Sequence, residues 1–479
     1  MGMSRSFWFA AARLAIASLA LAPASGRARQ PGGSQKSESQ PAVQAAPLDV
    51  QTHKLANGLE VVTLEEHSAP IVNLQVWYHV GSKDERPGRT GFAHMFEHLM
   101  FKGSAHVAAD QHTRLIEQMG GVVNAYTNDD VTVFWETFPS RYLERVLWME
   151  ADRMGSLNVT LENFTTEREV VKEERRLRID NPPYGRVTED LYAAAFTVHP
   201  YHHITIGSMD DLNKATLGDV RDFYSTYYRP DNATLVIVGD FPSAGALAWA
   251  EKYFGGIPAS PRPIPRVTVT EPPQTSERTL TRSYANSPLP AVVEGFKVPP
   301  RFSPDQYPLE LASNILSQGQ SSLLYQDLVY AKRLALQAFG VGNFTEDPNL
   351  FFIGAVLNSG VSVEQGEREV DQVVESMRAN PVAAGVLEKA KNQVVARFIL
   401  ARETDQGKAD AIGEAAALGK DASLVNKELD GYLQISVGDI QRVSRQYFDK
   451  QHETLLLVVP LQAPAPPNPG GGERNQRER

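Results

Sequence analysis

His94, Glu97 and His98 lie in one five-residue run, His94-Met95-Phe96-Glu97-His98, whose residue types and spacing suit metal-assisted hydrolysis. On a helix, positions i and i+4 share a face, so His94 and His98 can present two imidazoles to one ion. Glu97 is adjacent to His98 and three residues from His94, placing a base beside any water held by that ion. A zinc ion bound by neutral nitrogens and a carboxylate lowers the pKa of its water towards neutrality and polarises a scissile carbonyl. Such a site takes three protein ligands, so a third must come from elsewhere in the chain. The order His-x-x-Glu-His inverts the commoner His-Glu-x-x-His; taken alone, it also fits a helix with two surface histidines. The chain has no cysteine. Disulfides, thiol nucleophiles and thiolate metal sites are thereby excluded, and a transition metal must rely on His and carboxylates.

The elements that must position these residues read as an α+β protein in two similar halves. In the first half, His53 to Leu64 reads as a hairpin around Asn57-Gly58, a favoured two-residue turn. Ile71 to Val80 is a strand, Gly91 to Lys102 a helix carrying the motif, and Val122 to Phe138 a strand-like alternation. Helices follow over Arg141 to Met154 and over the charged run Thr165 to Arg178, and Ala233 to Val238 is a buried strand. In the second half, Ala291 to Val298 reads as a strand, Asp305 to Ser317 as a helix and Thr454 to Pro460 as a terminal strand. A proline-rich stretch, 257–275, separates domains at 49–256 and 276–462. Low-complexity segments flank them at 29–48 and 463–479. Residues 1–28 have the features of a signal peptide: Arg5, an apolar core from Leu14 to Ala22, and small residues up to Ala28. A retained N-terminal anchor is the alternative. Export and a cysteine-free body point to a periplasm.

With 479 residues, 42% hydrophobic and 22% charged, the composition is that of a globular protein of two or more domains. A net charge of −10 gives no general attraction to nucleic acid or anionic membrane. No basic patch with interleaved aromatics and no glycine-rich phosphate loop is present.

Beyond the pentapeptide, ordered motifs run through the chain: Gly91-Phe92-Ala93 ahead of His94, Leu99-Met100-Phe101-Lys102-Gly103 after His98, and Gly120-Gly121 with Asn124-Ala125-Tyr126-Thr127. Glu167-Arg168-Glu169-Val170-Val171-Lys172-Glu173-Glu174, His199-Pro200-Tyr201, and Tyr228-Arg229-Pro230-Asp231-Asn232-Ala233 follow. On these residues the chain resembles the pitrilysin and insulinase family of zinc peptidases, the inverzincins, over roughly residues 50 to 460. Within it, the likeness is to the bacterial type related to the mitochondrial processing peptidase subunits, and to their zinc-bearing subunit. The resemblance implies two homologous halves, each a mainly antiparallel sheet flanked by helices, together forming half of a clamshell chamber. It implies one Zn2+ held by His94, His98 and Glu174, the last standing 76 residues past His98. Glu173 and Glu174 are about 100° apart on a helix, so only one can face the metal. Glu97 becomes the base on the metal-activated water, Glu167 orients a histidine from behind, and Asn124 and Ala125 belong to an edge strand that pairs with substrate backbone.

The second half carries no His/Glu cluster; His452 is its one histidine. Many relatives place there an Arg and a Tyr that contact substrate near the zinc. At the matching places this chain has Leu323 and Leu336, with Tyr325 and Arg333 nearby in a shifted register. Two leucines cannot donate hydrogen bonds to a developing oxyanion. The resemblance therefore implies peptide hydrolysis by a heterodimer in which a homologous subunit supplies the missing pair. A weakly active or non-catalytic peptide-binding subunit is the alternative.

Overall fold

The computed structural model describes residues 46–461. The expected signal peptide, most of the 29–48 segment and the 463–479 tail lie outside the described residues. Two sheets organise the chain. The first contains β1 (Gln51–Lys54), β2 (Glu60–Glu65), β3 (Ile71–Tyr78), β4 (Val122–Thr127), β5 (Thr132–Pro139) and β6 (Ala233–Gly239), in the order β1-β2-β6-β3-β5-β4. The second contains β7 (Arg278–Arg282), β8 (Ala291–Val298), β9 (Ala335–Gly342), β10 (Asn349–Leu357) and β11 (Glu453–Val458), in the order β7-β11-β8-β10-β9. Each is antiparallel except for one parallel pair, β2 with β6 and β7 with β11. Strand for strand, β2-β6-β3-β5-β4 corresponds to β7-β11-β8-β10-β9. The halves are structural repeats, and β1 is an addition to the first.

Central strand β6, Ala-Thr-Leu-Val-Ile-Val-Gly, is buried at every residue. A strand covered on both faces reads as a continuous apolar run and not as an alternation. One face of the first sheet is covered by α1 (Phe92–Leu99), α2 (Gln111–Gln118), α3 (Leu143–Ser156) and α4 (Leu161–Arg175), packed on Leu74, Val76, Phe134 and Phe138. The opposite face is covered by a helix from the second half, Asp405–Ala417, through Ala409 and Ile412 against Val62, Trp77 and Val236. That helix must lie close: a Cβ on Gly413 would meet the Trp77 indole at 2.2 Å. The exchange is reciprocal. Helix α5 (Val187–Ala195), from the first half, sets Val187, Leu191 and Ala195 against Val293, Leu350 and Val458 of the second sheet.

Polar contacts lock the same junction. Buried Lys83 pairs with Asp130 at 2.9 Å and, across the halves, with Glu346 at 2.7 Å. The proline-rich stretch is also tied down, since Glu271 accepts the N–H groups of Thr197, Val198 and His199. Leu48 donates its N–H to Asn426.

Two local expectations change in detail. Lys54 pairs with Glu60, which leaves a five-residue loop, Leu55 to Leu59, in place of a two-residue turn. Asn57 instead donates its side chain to the carbonyls of Phe254 and Ile257, pinning the loop to a distant helix end. The run from Val122 to Phe138 is a hairpin of two strands. It turns where Asn128 Oδ1 accepts the N–H groups of Asp130 and Val131, a side chain standing in for a backbone turn.

Candidate functional site

Helix α1 buries Phe92, Met95, Phe96 and Leu99 at the i, i+3, i+4, i+7 spacing of a core-facing stripe. Its first turn is anchored by buried Glu85, whose carboxylate accepts the N–H groups of Gly91 and Ala93. An anion at a helix N-terminus satisfies otherwise unpaired donors and complements the helix dipole. Gly91, at φ +92°, makes the left-handed bend into the helix. Helix α4 starts at a Thr160 cap and packs against α1. Glu167, Val171 and Glu174 follow at the i, i+4, i+7 spacing and share the face turned to α1.

The result is a convergence of three donors. His94 Nε2 and His98 Nε2 are 3.1 Å apart, and Glu174 Oε2 lies 3.4 Å from the first and 3.2 Å from the second. All three ligand atoms fall within 4.8 Å of one another. Two imidazole nitrogens and one carboxylate oxygen at this spacing fit a zinc ion with a position left open. Behind them, Glu167 Oε2 is 3.4 Å from His98 Nδ1, and its other oxygen accepts from Lys102 Nζ at 3.1 Å. A carboxylate on the far nitrogen fixes the ring and leaves Nε2 to face the ligand position. The choice between neighbouring glutamates is geometric. Glu174 has a side chain 16% exposed and turned to the histidines; Glu173 is 57% exposed and pairs with Arg176.

The electrostatics follow from this crowding. Burial alone would lower the pKa of His98, but its hydrogen bonds to Glu167 and Glu174, with the charges of Glu174 and Glu97, raise it to about 9. For Glu174 burial opposes ionisation, yet the two histidines hold it far below the usual carboxylate range. Glu167 is likewise lowered against its burial, by His98 and Lys102. Glu174 and Glu167 thus stay ionised beside the imidazoles.

A cavity of about 220 Å³ opens beside the triad, lined by Glu97, His98, Phe101, Lys102, Asn124, Ala125 and Glu167. Asn124 and Ala125 sit within β4, which stands last in the strand order of the first sheet among the described residues. The structure thus brings His94, Glu97, His98, Asn124, Ala125, Glu167 and Glu174 around one space. It does not bring Tyr325, Arg333, Leu323 or Leu336 to that cavity's lining. Leu323 packs on the second core, and Leu336 is 63% exposed on β9, the edge strand of the second sheet.

Sequence reasoning missed Phe101 and Lys102 as cavity walls, and Arg178, which pairs with Glu174 Oε1 at 2.8 Å. For Arg178 the signal was its i+4 spacing from Glu174 on a helical run. Also missed was a second convergence, His112, Glu136 and Glu150, fully buried in the first half. Among the described residues no helix is long and apolar enough to cross a membrane.

A family model described as insulinase (peptidase family M16) matches residues 60–208, which include every residue of the cavity and triad. A model described as the peptidase M16 inactive domain matches residues 214–394. The zinc protease PqqE of Helicobacter pylori is 34% identical over 408 residues, spanning 85% of this chain and 92% of that relative. The crystal structure of a protease from Helicobacter pylori superposes with a TM-score of 0.83 at 33% identity, covering 86% of this chain and 100% of that one. The periplasmic protease PqqL of Escherichia coli has a TM-score of 0.70 at 19% identity, and the fold match covers 87% of this chain but 48% of that longer one.

Proposed function

The chain belongs to the insulinase family of peptidases, M16, and from that premise we propose that it is a zinc endopeptidase acting on peptides or unfolded polypeptides. The observation that carries the reading is the convergence of His94, His98 and Glu174 beside Glu97 at the mouth of a cavity bounded by an edge strand. His94, His98 and Glu174 would hold the zinc, with Glu167 orienting His98. When bound, zinc supplies Lewis acidity, activating water and polarising the scissile carbonyl. Glu97 takes a proton from the attacking water and returns it to the leaving nitrogen. The substrate backbone extends β4 as an added strand, which brings its carbonyl to the cavity without regard to sequence. The side chain of Asn124 and the close approach allowed by Ala125 then steady that strand.

The exposed apolar Leu336 and the core-packed Leu323 support a division of labour, with a homologous subunit donating the oxyanion contacts this chain lacks. The export features of residues 1–28 support a periplasmic site of action, the compartment of the PqqL protease whose fold this chain shares.

The test is a pair of substitutions assayed with the full chain, alone and with a candidate partner. Glu97→Gln should keep one zinc per chain and lose about 10²–10⁴-fold in peptide cleavage. Glu174→Gln should lower zinc content, while Glu173→Gln keeps it. Cleavage retained by Glu97→Gln removes the assigned base. Zinc bound tightly by a wild-type chain that cleaves nothing in any combination would favour a peptide-capturing, non-catalytic subunit.

A further inference from the structure

The second convergence lies directly behind the cavity. His112 on α2, Glu136 on β5, and Glu150 and Arg153 on α3 are all buried, and Arg153 is 2% exposed. His112 Nε2 lies 3.0 Å from Glu136 Oε1 and 3.2 Å from Glu150 Oε1. Arg153 Nη2 lies 2.6 Å from Glu150 Oε1 and 3.2 Å from Glu136 Oε1. The donor set resembles a metal site, but the guanidinium already occupies the cation's place against the same two oxygens. Burying two carboxylates is tolerable only when they are paired, and Arg153 and His112 provide that pairing from opposite sides.

What this cluster touches gives it a role beyond packing. The Arg153 guanidinium lies 5.4 Å from the ring centre of Phe101 and 4.5 Å from that of Phe134. Its Nη1 has no hydrogen-bond partner, so the aromatic faces stand where an acceptor would. The His112 ring meets Phe101 edge-on, with centroids 6.0 Å apart at 83°. Phe101 is a wall of the cavity that holds Glu97 and His98. Glu136, in turn, pairs across the ladder with Val123, next to Asn124 on the substrate-facing edge strand.

Building on the reading that this cavity receives substrate, we propose that Arg153 and His112 are positioning residues for substrate binding. They clamp Phe101 from behind and fix the β4–β5 hairpin in register with it. Neither touches substrate or metal; they act through Phe101. The aromatic wall cannot rotate or sink while a planar cation and an imidazole hold its inner face. Substrate therefore meets a surface formed before it arrives, and less ordering is left to binding. Titration divides the two carboxylates: Arg153 and His112 outweigh burial to keep Glu150 ionised, burial and the charge of Glu150 push Glu136 up to about 7, and the two glutamates raise His112 against its burial and the charge of Arg153.

A double-mutant cycle on the full chain tests this. Arg153→Lys keeps the charge for both carboxylates but removes the planar face against Phe101. It should raise KM for an unstructured peptide about tenfold, with kcat within a factor of two and zinc content unchanged. Phe101→Leu should raise KM similarly, and the double variant no further, because both changes disable one wall. His112→Gln, which keeps a hydrogen bond to the carboxylates, serves as the second arm if Arg153→Lys does not fold, with the same non-additivity expected. Repeating the cycle as peptide Kd in a Glu97→Gln background separates the two claims. Loss of zinc or of wild-type turnover counts against the hydrolytic reading alone. Additive KM and Kd effects, or equal losses in kcat, overturn the positioning role.

Discussion

The two halves share one strand order and one pattern of pairing, yet among the described residues the clusters that could hold a metal ion lie in the first. In the first, the helix after β3 turns two histidines and a glutamate away from its apolar stripe, and α4 answers with Glu167 and Glu174. In the second, the helix after β8, Gln306–Ser317, buries Pro308, Leu309, Leu311, Ala312, Ile315 and Leu316 and has no histidine. The frame is the same, and the proposed chemistry rests on a few side chains on one helix and its neighbour. A fold of this kind specifies where a site can be, and point substitutions decide whether it is there.

The sharpest way to break the contrast is to put chemistry into the second half. Leu323→Arg combined with Leu336→Tyr restores the pair that many relatives carry. Because neither position lines the cavity of its own chain, the variant should act on a second copy: mixed with wild-type chain it should raise cleavage of an unstructured peptide about 100-fold, the scale of an oxyanion donor gained. An unchanged kcat/KM would mean that these positions do not reach the reaction, and the case for a complementary subunit would fall with it.

Next in size is the exchange of helices, which makes each half depend on the other. Leu191 belongs to the first half by sequence but is fully buried on the second sheet, and Ile412 has the reverse placement. Leu191→Ala should cost about 3 kcal/mol, and Ile412→Ala a similar amount. Amide exchange measured residue by residue should show Leu191→Ala loosening β8, β10 and β11 before the first sheet, and Ile412→Ala loosening β2, β3 and β6. If each substitution instead weakened its own half first, the halves would be separate folding units in contact.

These differences also mark how far the sequence was legible. The helix of His94 to His98 and the main strands could be read because their signals are local: i, i+4 spacing, apolar runs and turn residues. Glu174 and Glu167 could be reached only by likeness to a family, since nothing local ties a glutamate to a histidine 76 positions away. The helix exchange was invisible for a physical reason. Asp405–Ala417 is Ala-rich and weakly amphipathic, and its binding surface is a sheet more than 150 residues upstream in sequence. The buried cluster had one readable sign, Glu136 standing in phase with Phe134 and Phe138 on an otherwise apolar strand face. A charged residue at an inward strand position demands a partner, but alternation cannot name Arg153 or His112.

The smallest effect concerns how each half treats buried acid. The first half sets Arg153 and His112 against Glu136 and Glu150. The second buries Glu294 and Glu453 as diagonal neighbours on β8 and β11, and none of their four carboxylate oxygens has a hydrogen-bond partner. Burial pushes the pKa of Glu453 up to about 8, with Lys450 opposing and Asp371, Glu277 and Glu367 adding to the rise. Burial, followed by the charge of Glu453, raises Glu294 well above its ordinary value. For an acid raised in the folded state, stability is complete below the unfolded pKa and declines as pH climbs through the folded one. The window for Glu453 runs from about 4.5 to about 8. Over it the unfolded chain ionises freely, while the folded chain must keep its proton or hold a bare charge among apolar side chains. Glu453→Gln removes the ionisation and keeps the shape. Its melting temperature should match wild type near pH 5 and exceed it by about 3 °C at pH 8.5. A Gln variant whose melting temperature tracks wild type across that range would mean that the pair is already neutralised in solution. The two halves would then differ only in which cation does it.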